Sequence, residues 1–424
     1  MHDTRMLREH AGLLREAMRR RGKLEVLGPL IDHAEQLDRD RRITIQAVEE
    51  RKAARNVASQ EVARRKRDGA DAADLMASAR AMGEEIARLE GELAQAQSEL
   101  DQLMLEIPNI TAADVPAGDE SANVLLRSWG TPRAPAGLKP HWDVGESLGL
   151  IDLPRGAKIA GSGFVVYRGL GARLQRALMN FMLDLHTRDH GYEETWVPLF
   201  VNRDAMIGTS QLPKFEEDMY ALRDDALFAI PTAEVPVTNL FRDEILDAAV
   251  LPRALTAFSA CFRREAGAAG KDTRGLLRVH QFEKVELVRF TTPEDSAAQH
   301  ELLTAHAEIV LQQLGLPYRV VLLAAGDTGF ASTRTYDLEV FAPGVGKWLE
   351  VSSCSNFGDF QARRANIRYR PAQGEKPRFV HTLNGSGLAF ARVVAALLEH
   401  YQRDDGGVDV PPVLRPYLGT DLIR

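Results

Sequence analysis

LMASARAMGEEIARLEGELAQAQSELDQLMLEIP, from Leu75 to Pro108, places apolar residues at Leu75, Ala79, Met82, Ile86, Leu89, Leu93, Ala96, Leu100, Leu103 and Ile107. The steps alternate between four and three without a break, which is the seam of a coiled coil. Pro108 ends it, because proline lacks the N–H that a continuing helix needs. A helix of this length spans about 50 Å at 1.5 Å per residue. A second helical stretch precedes it, from about Pro29 to Arg67, with a broken seam at Leu30, Ala34, Leu37, Val48, Val57 and Val62. Pro29 suits a first helical turn. Asp68-Gly69-Ala70-Asp71 between the two stretches is a turn signal. The pattern therefore predicts an antiparallel helical hairpin over about 29–107, with its tip near 66–71. A shorter helix, about Thr4 to Arg20, precedes the hairpin.

The chain has 424 residues, too many for one ordinary core. Hydrophobic residues make up 45 % and charged residues 27 %, which is a globular composition. The two cysteines, Cys261 and Cys354, exclude a disulfide scaffold and a cysteine-rich zinc site. No apolar run approaches the roughly 20 residues of a membrane span, and the N-terminus has no apolar signal core. These features predict a cytoplasmic protein with no membrane partner. A net charge of −7 argues weakly against nucleic acid. Net charge averages over uneven placement, however. Between Arg51 and Arg67 stand Arg51, Lys52, Arg55, Arg64, Arg65, Lys66 and Arg67 against one acid, Glu61. That stripe reads either as a solvated helix face or as a contact for a phosphate backbone.

Past residue 108 prolines, glycines and aromatics reach normal density. Residues 108–140 read as a connecting loop. Gly171 to Asp189 is an amphipathic helix through Leu174, Leu178, Phe181, Met182 and Leu185. Glu194 to Pro198, Val279 to Phe290, Tyr318 to Leu323 and Asp337 to Phe341 read as strands, without regular βαβ spacing. The fold class expected is α+β: the helical arm, then a mostly antiparallel sheet flanked by helices.

Familiar phosphate and nucleophile motifs fail. Gly267-Ala-Ala-Gly270-Lys271-Asp272-Thr273 has two residues between the glycines where a P-loop needs four. Gly169-Leu-Gly171 lacks the third glycine of a dinucleotide fingerprint. Gly385-Ser386-Gly387 lacks the spacing of a nucleophile elbow. Three segments remain. Cys261-Phe262-Arg263-Arg264-Glu265 is followed, after a glycine-rich loop, by Arg278-Val-His280-Gln-Phe282-Glu283-Lys284-Val-Glu286. On strands, period two puts Arg263 with Glu265, and Phe282 with Lys284 and Glu286. An arginine to grip phosphate, a ring to stack a base and carboxylates to accept from an amine make a nucleotide site in chemical terms. The alternative is a surface hairpin with ordinary alternation. Trp348 to Asn356 alternates as a strand, with Glu350 and Ser352 on one face; hard oxygens there suit Mg²⁺. His381-Thr-Leu-Asn384-Gly385-Ser386-Gly387 runs into an apolar helix. Its glycines at the helix start would permit close approach of a ligand, with Arg392 about two turns in.

Together these segments resemble the three signature motifs of class II aminoacyl-tRNA synthetases. The stretch ending at Pro198 is similar to motif 1. Phe262-Arg263-x-Glu265 with Arg278, Phe282 and Glu286 is similar to motif 2, and Gly385-x-Gly387-xxxx-Arg392 to motif 3. The helical hairpin, Thr232-Ala233-Glu234-Val-Pro, Phe262-Arg263-Arg264-Glu265-Ala-Gly, Ser352-Ser353-Cys354-Ser355-Asn356 and Leu383-Asn384-Gly385-Ser386-Gly387 narrow the resemblance to the seryl-tRNA synthetase family, over nearly the whole chain. It implies a tRNA-binding domain at 1–110 and a catalytic domain at 111–424. It implies serine activation by ATP to seryl-adenylate, then transfer to the 3′-terminal adenosine of tRNA(Ser), leaving tRNA(Sec) open as a further partner.

The residue roles that follow are those the resemblance implies. Arg263, Glu286 and Arg392 carry catalysis. Thr232, Ala233, Glu234, Arg263, Glu286, Asn384 and Ser386 bind L-serine. Arg263, Arg264, Glu265, Phe282, Glu350, Val351, Ser352, Ser353 and Arg392 bind ATP, with Phe282 stacked on adenine. Glu350 and Ser353 hold Mg²⁺. Arg51, Lys52, Arg55, Arg64, Arg65, Lys66 and Arg67 meet tRNA. A homodimer with motif 1 at its interface is implied, and no DNA. Four positions depart from the family pattern: Phe357 stands for a usual cysteine, Lys271 for a usual arginine, and Phe390-Ala391 for Val-Gly. The active-site motifs do not separate a housekeeping enzyme from a specialised duplicate serving antibiotic biosynthesis or self-resistance. A non-catalytic binding protein would need lost ligands, yet Arg263, Glu286, Glu350 and Arg392 are all in place.

Overall fold

Alternation of apolar and polar residues at a period of two, in segments joined by long connections, gives the sheet; the four–three spacing gives the arm. In the computed structural model residues 1–266 and 274–424 are described; the P-loop-like stretch from Gly267 to Thr273, with the departure at Lys271, lies outside them. The described residues form two compact units, Met1–Pro108 and Asn109–Arg424.

The first unit is helical. Its leading stretch, read above as one helix, is two: α1 (Arg5–Glu9) and α2 (Ala11–Arg20), broken at His10 with φ −142°. Then α3 (Leu24–Arg67) and α4 (Ala73–Glu106) run antiparallel, joined at Gly69 with φ +71°. Pro29 lies in the second turn of α3, because the helix begins at Leu24 rather than at the proline. On α4 the seam holds at Ile86 and Leu100, which are buried, but in the last turn Met104 is buried in place of Leu103. On α3 it is displaced: Ala58 is buried and Val57 is 67 % exposed. The inward positions of α3 follow Ile31, Ala34, Asp38, Val48 and Ala58, so one turn of the seam is polar and the reading through Val57 ran one residue early.

The second unit is built on one sheet of eight strands. In chain order they are β1 (Val124–Trp129), β2 (Glu193–Glu194), β3 (Arg253–Phe262), β4 (Gln281–Thr291), β5 (Tyr318–Leu322), β6 (Arg334–Ala342), β7 (Lys347–Asn356) and β8 (His381–Ala389). The sheet order is β1-β5-β6-β7-β8-β4-β3-β2. Every pairing is antiparallel except β2 with β3. Three expectations change. β1 lies inside the stretch read as a connecting loop. The strand expected through Pro198 stops early: Thr195 makes the last ladder bond, its N–H donating to the Thr256 carbonyl at 2.8 Å. Pro198 has no N–H, so no ladder bond can be donated at that position. Trp196 is left 80 % exposed.

The third change concerns the glycines of the last motif. Gly385 and Gly387 lie within β8, and the following helix, α9 (Phe390–His400), begins later; α5 (Leu170–Arg188), α6 (Glu234–Asn239), α7 (Ser296–Gln313) and α8 (Phe360–Ala365) precede it. Their open sides face helices, not a ligand. A Cβ on Gly385 would stand 2.5 Å from Leu303 of α7 and 3.0 Å from Cys354 Sγ; one on Gly387 would stand 2.7 Å from His186 Nε2 of α5. Arg392 consequently sits in the first turn of α9, not two turns in. On β4, Val285 and Leu287 enter a core shared with Leu178, Phe181, Leu303 and Val310, while Phe282, Lys284 and Glu286 alternate to the other face.

Candidate active site

The free face of β4, β7 and β8 floors a cleft of about 520 Å³ that shares its border with a smaller chamber of about 200 Å³. Arg263, Glu265, Arg278, Lys284, Glu350 and Ser386 border both. Arg263 comes just after β3, where its N–H donates to the His280 carbonyl at 2.9 Å and closes the ladder with β4. Its guanidinium lies 5.1 Å over the ring of Phe282, so cation and aromatic face meet before any base arrives. Glu265 does not continue the alternation: its φ is +53°, and its carboxylate pairs with Arg278. Leu276, Leu277, Phe282 and Arg392 line the smaller chamber. The Arg392 guanidinium is held by the Leu277 carbonyl at 3.2 Å and the Glu350 carbonyl at 2.7 Å.

The blind end of the larger cleft is acidic and dense in hydrogen bonds. Glu286 accepts from the Thr232 hydroxyl at 2.7 Å and from Lys284 Nζ at 2.5 Å, and Asn384 Nδ2 approaches at 3.4 Å. Lys284 Nζ also donates to Thr232 Oγ1 at 2.9 Å. Glu234 follows one residue beyond Ala233, turned in by the start of α6, and is buried. Its carboxyl is pushed up to about 7, first by burial and then by the nearby Glu286 charge.

Glu350 and Ser353 both line the cleft although three positions separate them. A regular strand would send them to opposite faces. The β6–β7 ladder slips between Leu338 and Glu339: Leu338 faces Ser352 and Glu339 faces Glu350, leaving Val351 as the extra residue of a bulge. Ser352, placed beside Glu350 by strict alternation, instead turns under the floor and donates to the Ser386 carbonyl at 2.7 Å. Asp337 lies opposite Ser353 in the ladder. Burial, then the Glu350 charge, holds its carboxyl well above the ordinary range, and its Oδ1 has no hydrogen-bond partner in the structure. An orphaned carboxylate oxygen beside a serine hydroxyl and a second carboxylate is a hard-oxygen set that fits Mg²⁺.

Of the positions singled out above, Thr232, Glu234, Arg263, Glu265, Phe282, Glu286, Glu350, Val351, Ser353, Asn384, Ser386 and Arg392 border the two chambers. Three do not. Ala233 is fully buried in an apolar cluster with Val237 and Val288. Ser352 is under the floor. Arg264 turns away, its N–H donating to the Asp218 carbonyl at 2.9 Å and its guanidinium to the Glu217 carbonyl at 3.1 Å. Sequence reasoning missed Asp337 and Gln361, which lie on other segments and carry no motif. Arg278 and Lys284 stood inside a quoted motif but received no role. Phe357 lines the cleft wall beside Phe330, and Phe390 is buried in the core.

On the arm, the basic stripe divides. Arg51 pairs with Glu85 at 3.0 Å and Lys52 with Glu90 at 3.0 Å, across the hairpin. Arg64 and Arg65 pair with Glu61, and Arg65 also with Asp74. Arg55, Lys66 and Arg67 make no ion pair among the described residues, and Lys66 and Arg67 are exposed near the tip.

The class to which this sheet and its two chambers belong is that of the class II aminoacyl-tRNA synthetases. Residues 215–401 match the family model "tRNA synthetase class II core domain (G, H, P, S and T)", and residues 1–111 match "Seryl-tRNA synthetase N-terminal domain". The chain belongs to the seryl-tRNA synthetase family. It is 66 % identical to a serine–tRNA ligase of Gemmatimonas aurantiaca over all of both chains. Among solved structures it is similar to a seryl-tRNA synthetase from Pyrococcus horikoshii complexed with ATP, at 37 % identity and TM-score 0.95, covering 100 % of this chain and 99 % of that one. It is also similar to a cytoplasmic serine–tRNA ligase from Naegleria fowleri in complex with AMP, at 30 % identity and TM-score 0.88 over 100 % and 99 %.

Proposed function

We propose that the chain attaches L-serine to tRNA(Ser) at the cost of ATP, through a seryl-adenylate. The observation that carries this reading is the joining of two chemically distinct chambers at Arg263. One offers Phe282 and Arg392 to a base and its phosphates; the other ends in Glu234, Glu286 and Thr232, which suit a small amino acid. Arg263 stands where the α-phosphate and the serine carboxylate meet. The carboxylate oxygen attacks the α-phosphorus and pyrophosphate leaves; a hydroxyl of the terminal adenosine then attacks the seryl carbonyl, its proton is given up, and AMP leaves. The attacking group belongs to the substrate, so alignment and charge stabilisation are what the protein supplies.

In this reading Glu234 and Glu286 accept from the serine ammonium and hydroxyl. A site built to satisfy that hydroxyl rejects alanine, because its polar groups would be left unpaired. Glu350 and Ser353 would hold Mg²⁺, with Asp337 beneath them; the ion neutralises triphosphate charge when bound. The unpaired basic residues of the arm, Arg55, Lys66 and Arg67, suit a phosphate backbone, so residues 1–110 serve as the tRNA-binding domain and 111–424 as the catalytic one. A tRNA(Sec) offers the same backbone and end chemistry. Exposed Trp196, Leu199 and Phe200 support a homodimer through the motif 1 segment. Among the described residues no helix is long and apolar enough to cross a membrane.

Serine-dependent exchange of pyrophosphate into ATP by the purified chain, followed by charging of tRNA(Ser), tests the function. Absence of serine-dependent exchange overturns it.

A further inference from the structure

We infer that Gln361 is a positioning residue for serine recognition: together with Thr382 it fixes the Glu234 carboxylate so that it is aimed at the substrate ammonium group. The inference rests on the reading of Glu234 as a serine ligand, and it names what orients that ligand.

Gln361, in α8, is 1 % exposed. Its Nε2 donates to Glu234 Oε1 at 2.6 Å and lies 3.4 Å from the Thr209 carbonyl. Its Oε1 accepts from the Thr382 hydroxyl at 2.7 Å. A glutamine amide can be placed either way round, and only its neighbours decide. Here both ends are decided. The Thr382 hydroxyl can donate to a carbonyl oxygen, whereas the Thr209 carbonyl, and Glu234 once ionised, can only accept. The amide therefore presents its NH₂ to Glu234, and a flip would set oxygen against oxygen. The bond fastens one carboxylate oxygen and leaves the other for a ligand.

The same bond works against the cost of burying the charge. Around Glu234 the charged groups are Glu286, which opposes its ionisation, and Lys284 and Arg263, which favour it; the Gln361 amide favours it as well. Lys284 is already engaged by Glu286 and Thr232. Gln361 is therefore the neutral donor dedicated to Glu234, and without it Glu234 holds its proton to higher pH. A protonated Glu234 is a poor acceptor for an ammonium ion.

The test uses the full chain and serine-dependent pyrophosphate exchange from about pH 6 to about pH 9. For Gln361→Met we expect the serine KM to rise about tenfold with the ATP KM unchanged, and the acid limb to move up by about one pH unit. Thr382→Val should move both readouts in the same direction by less, and Thr382→Ser should restore native values. A native serine KM and acid limb in Gln361→Met overturn the inference, as does an equal rise in both KM values, which marks a merely structural role. Should Gln361→Met fail to fold, equal serine KM in the two Thr382 variants overturns it. Glu234→Gln separates the two levels. If it leaves the serine KM native, the reading of Glu234 itself falls; if it raises the serine KM while Gln361→Met does not, the positioning inference alone falls.

Discussion

Lys284 and Glu286, two residues apart on β4, form an ion pair at 2.5 Å with side chains only 7 % and 1 % exposed. A buried pair is poor evidence of net stability, but breaking it leaves one charge without compensation. Lys284→Met should destabilise the fold by about 3–5 kcal/mol. Chemical denaturation at neutral pH checks this. The double variant Lys284→Met/Glu286→Gln should recover part of the loss, since no lone charge remains.

Glu234 predicts a pH dependence. Its carboxyl titrates near 7 in the fold against 4.5 as its ordinary value. Between those values the folded chain holds a proton that the unfolded chain has released, so stability falls as pH rises through the window. Glu234→Gln removes this slope. It should be more stable than the native chain by about 1–3 kcal/mol at about pH 8, with the gap closing near pH 5. Thermal melts at the two pH values read the difference, and a gap independent of pH would contradict the assignment.

Gly385 tests the packing of β8 against α7. Gly385→Ala forces a methyl group against Leu303 and Cys354, costing about 1–3 kcal/mol. Because Gly385 faces the helix and not the cleft, the loss should appear in the melting temperature, with serine and ATP KM near native at low temperature. Unchanged stability would show that α7 yields.

Glu350 meets Arg392 twice, its carbonyl accepting from the guanidinium at 2.7 Å and its carboxylate pairing with it at 3.6 Å, and it lines the cleft with Ser353. Glu350→Gln keeps the carbonyl contact, gives up the ion pair with Arg392 and weakens hard-cation binding. Exchange activity at limiting Mg²⁺ should fall on the order of 10²-fold, with partial recovery as Mg²⁺ is raised. A uniform loss at every Mg²⁺ concentration would place the defect elsewhere.

The arm separates charge that is free from charge that is spent. Arg55→Glu, Lys66→Glu and Arg67→Glu in combination should raise the KM for tRNA(Ser) and flatten the salt dependence of charging, while serine-dependent exchange stays native. Substituting Arg51 and Lys52, whose charges already face Glu85 and Glu90, should do less to tRNA and more to the melting of the hairpin.

What the sequence determined by itself was whatever depends on near neighbours along the chain. The seam from Leu75 to Ile107 recurs at the helical period, so α4 was legible up to its last turn, where Met104 replaces Leu103, and the inward face of its partner was legible to within one residue although its start at Leu24 was not. On β4 the alternation of Phe282, Lys284 and Glu286 was legible for the same reason. Local period failed wherever a distant strand or helix set the register. Val351 bulges only because β6 lies beside β7, and that single extra residue swaps Ser352 for Ser353 at the cleft. Gly385 and Gly387 face α7 and α5, which a reading of their own segment placed at a ligand. Gln361 and Asp337 reached the site without any motif, because hydrogen bonds and charge act through space. Tertiary structure alone decided which atoms of Thr382, Gln361 and Glu234 face one another, since the low dielectric of a buried site penalises every polar atom left without a partner.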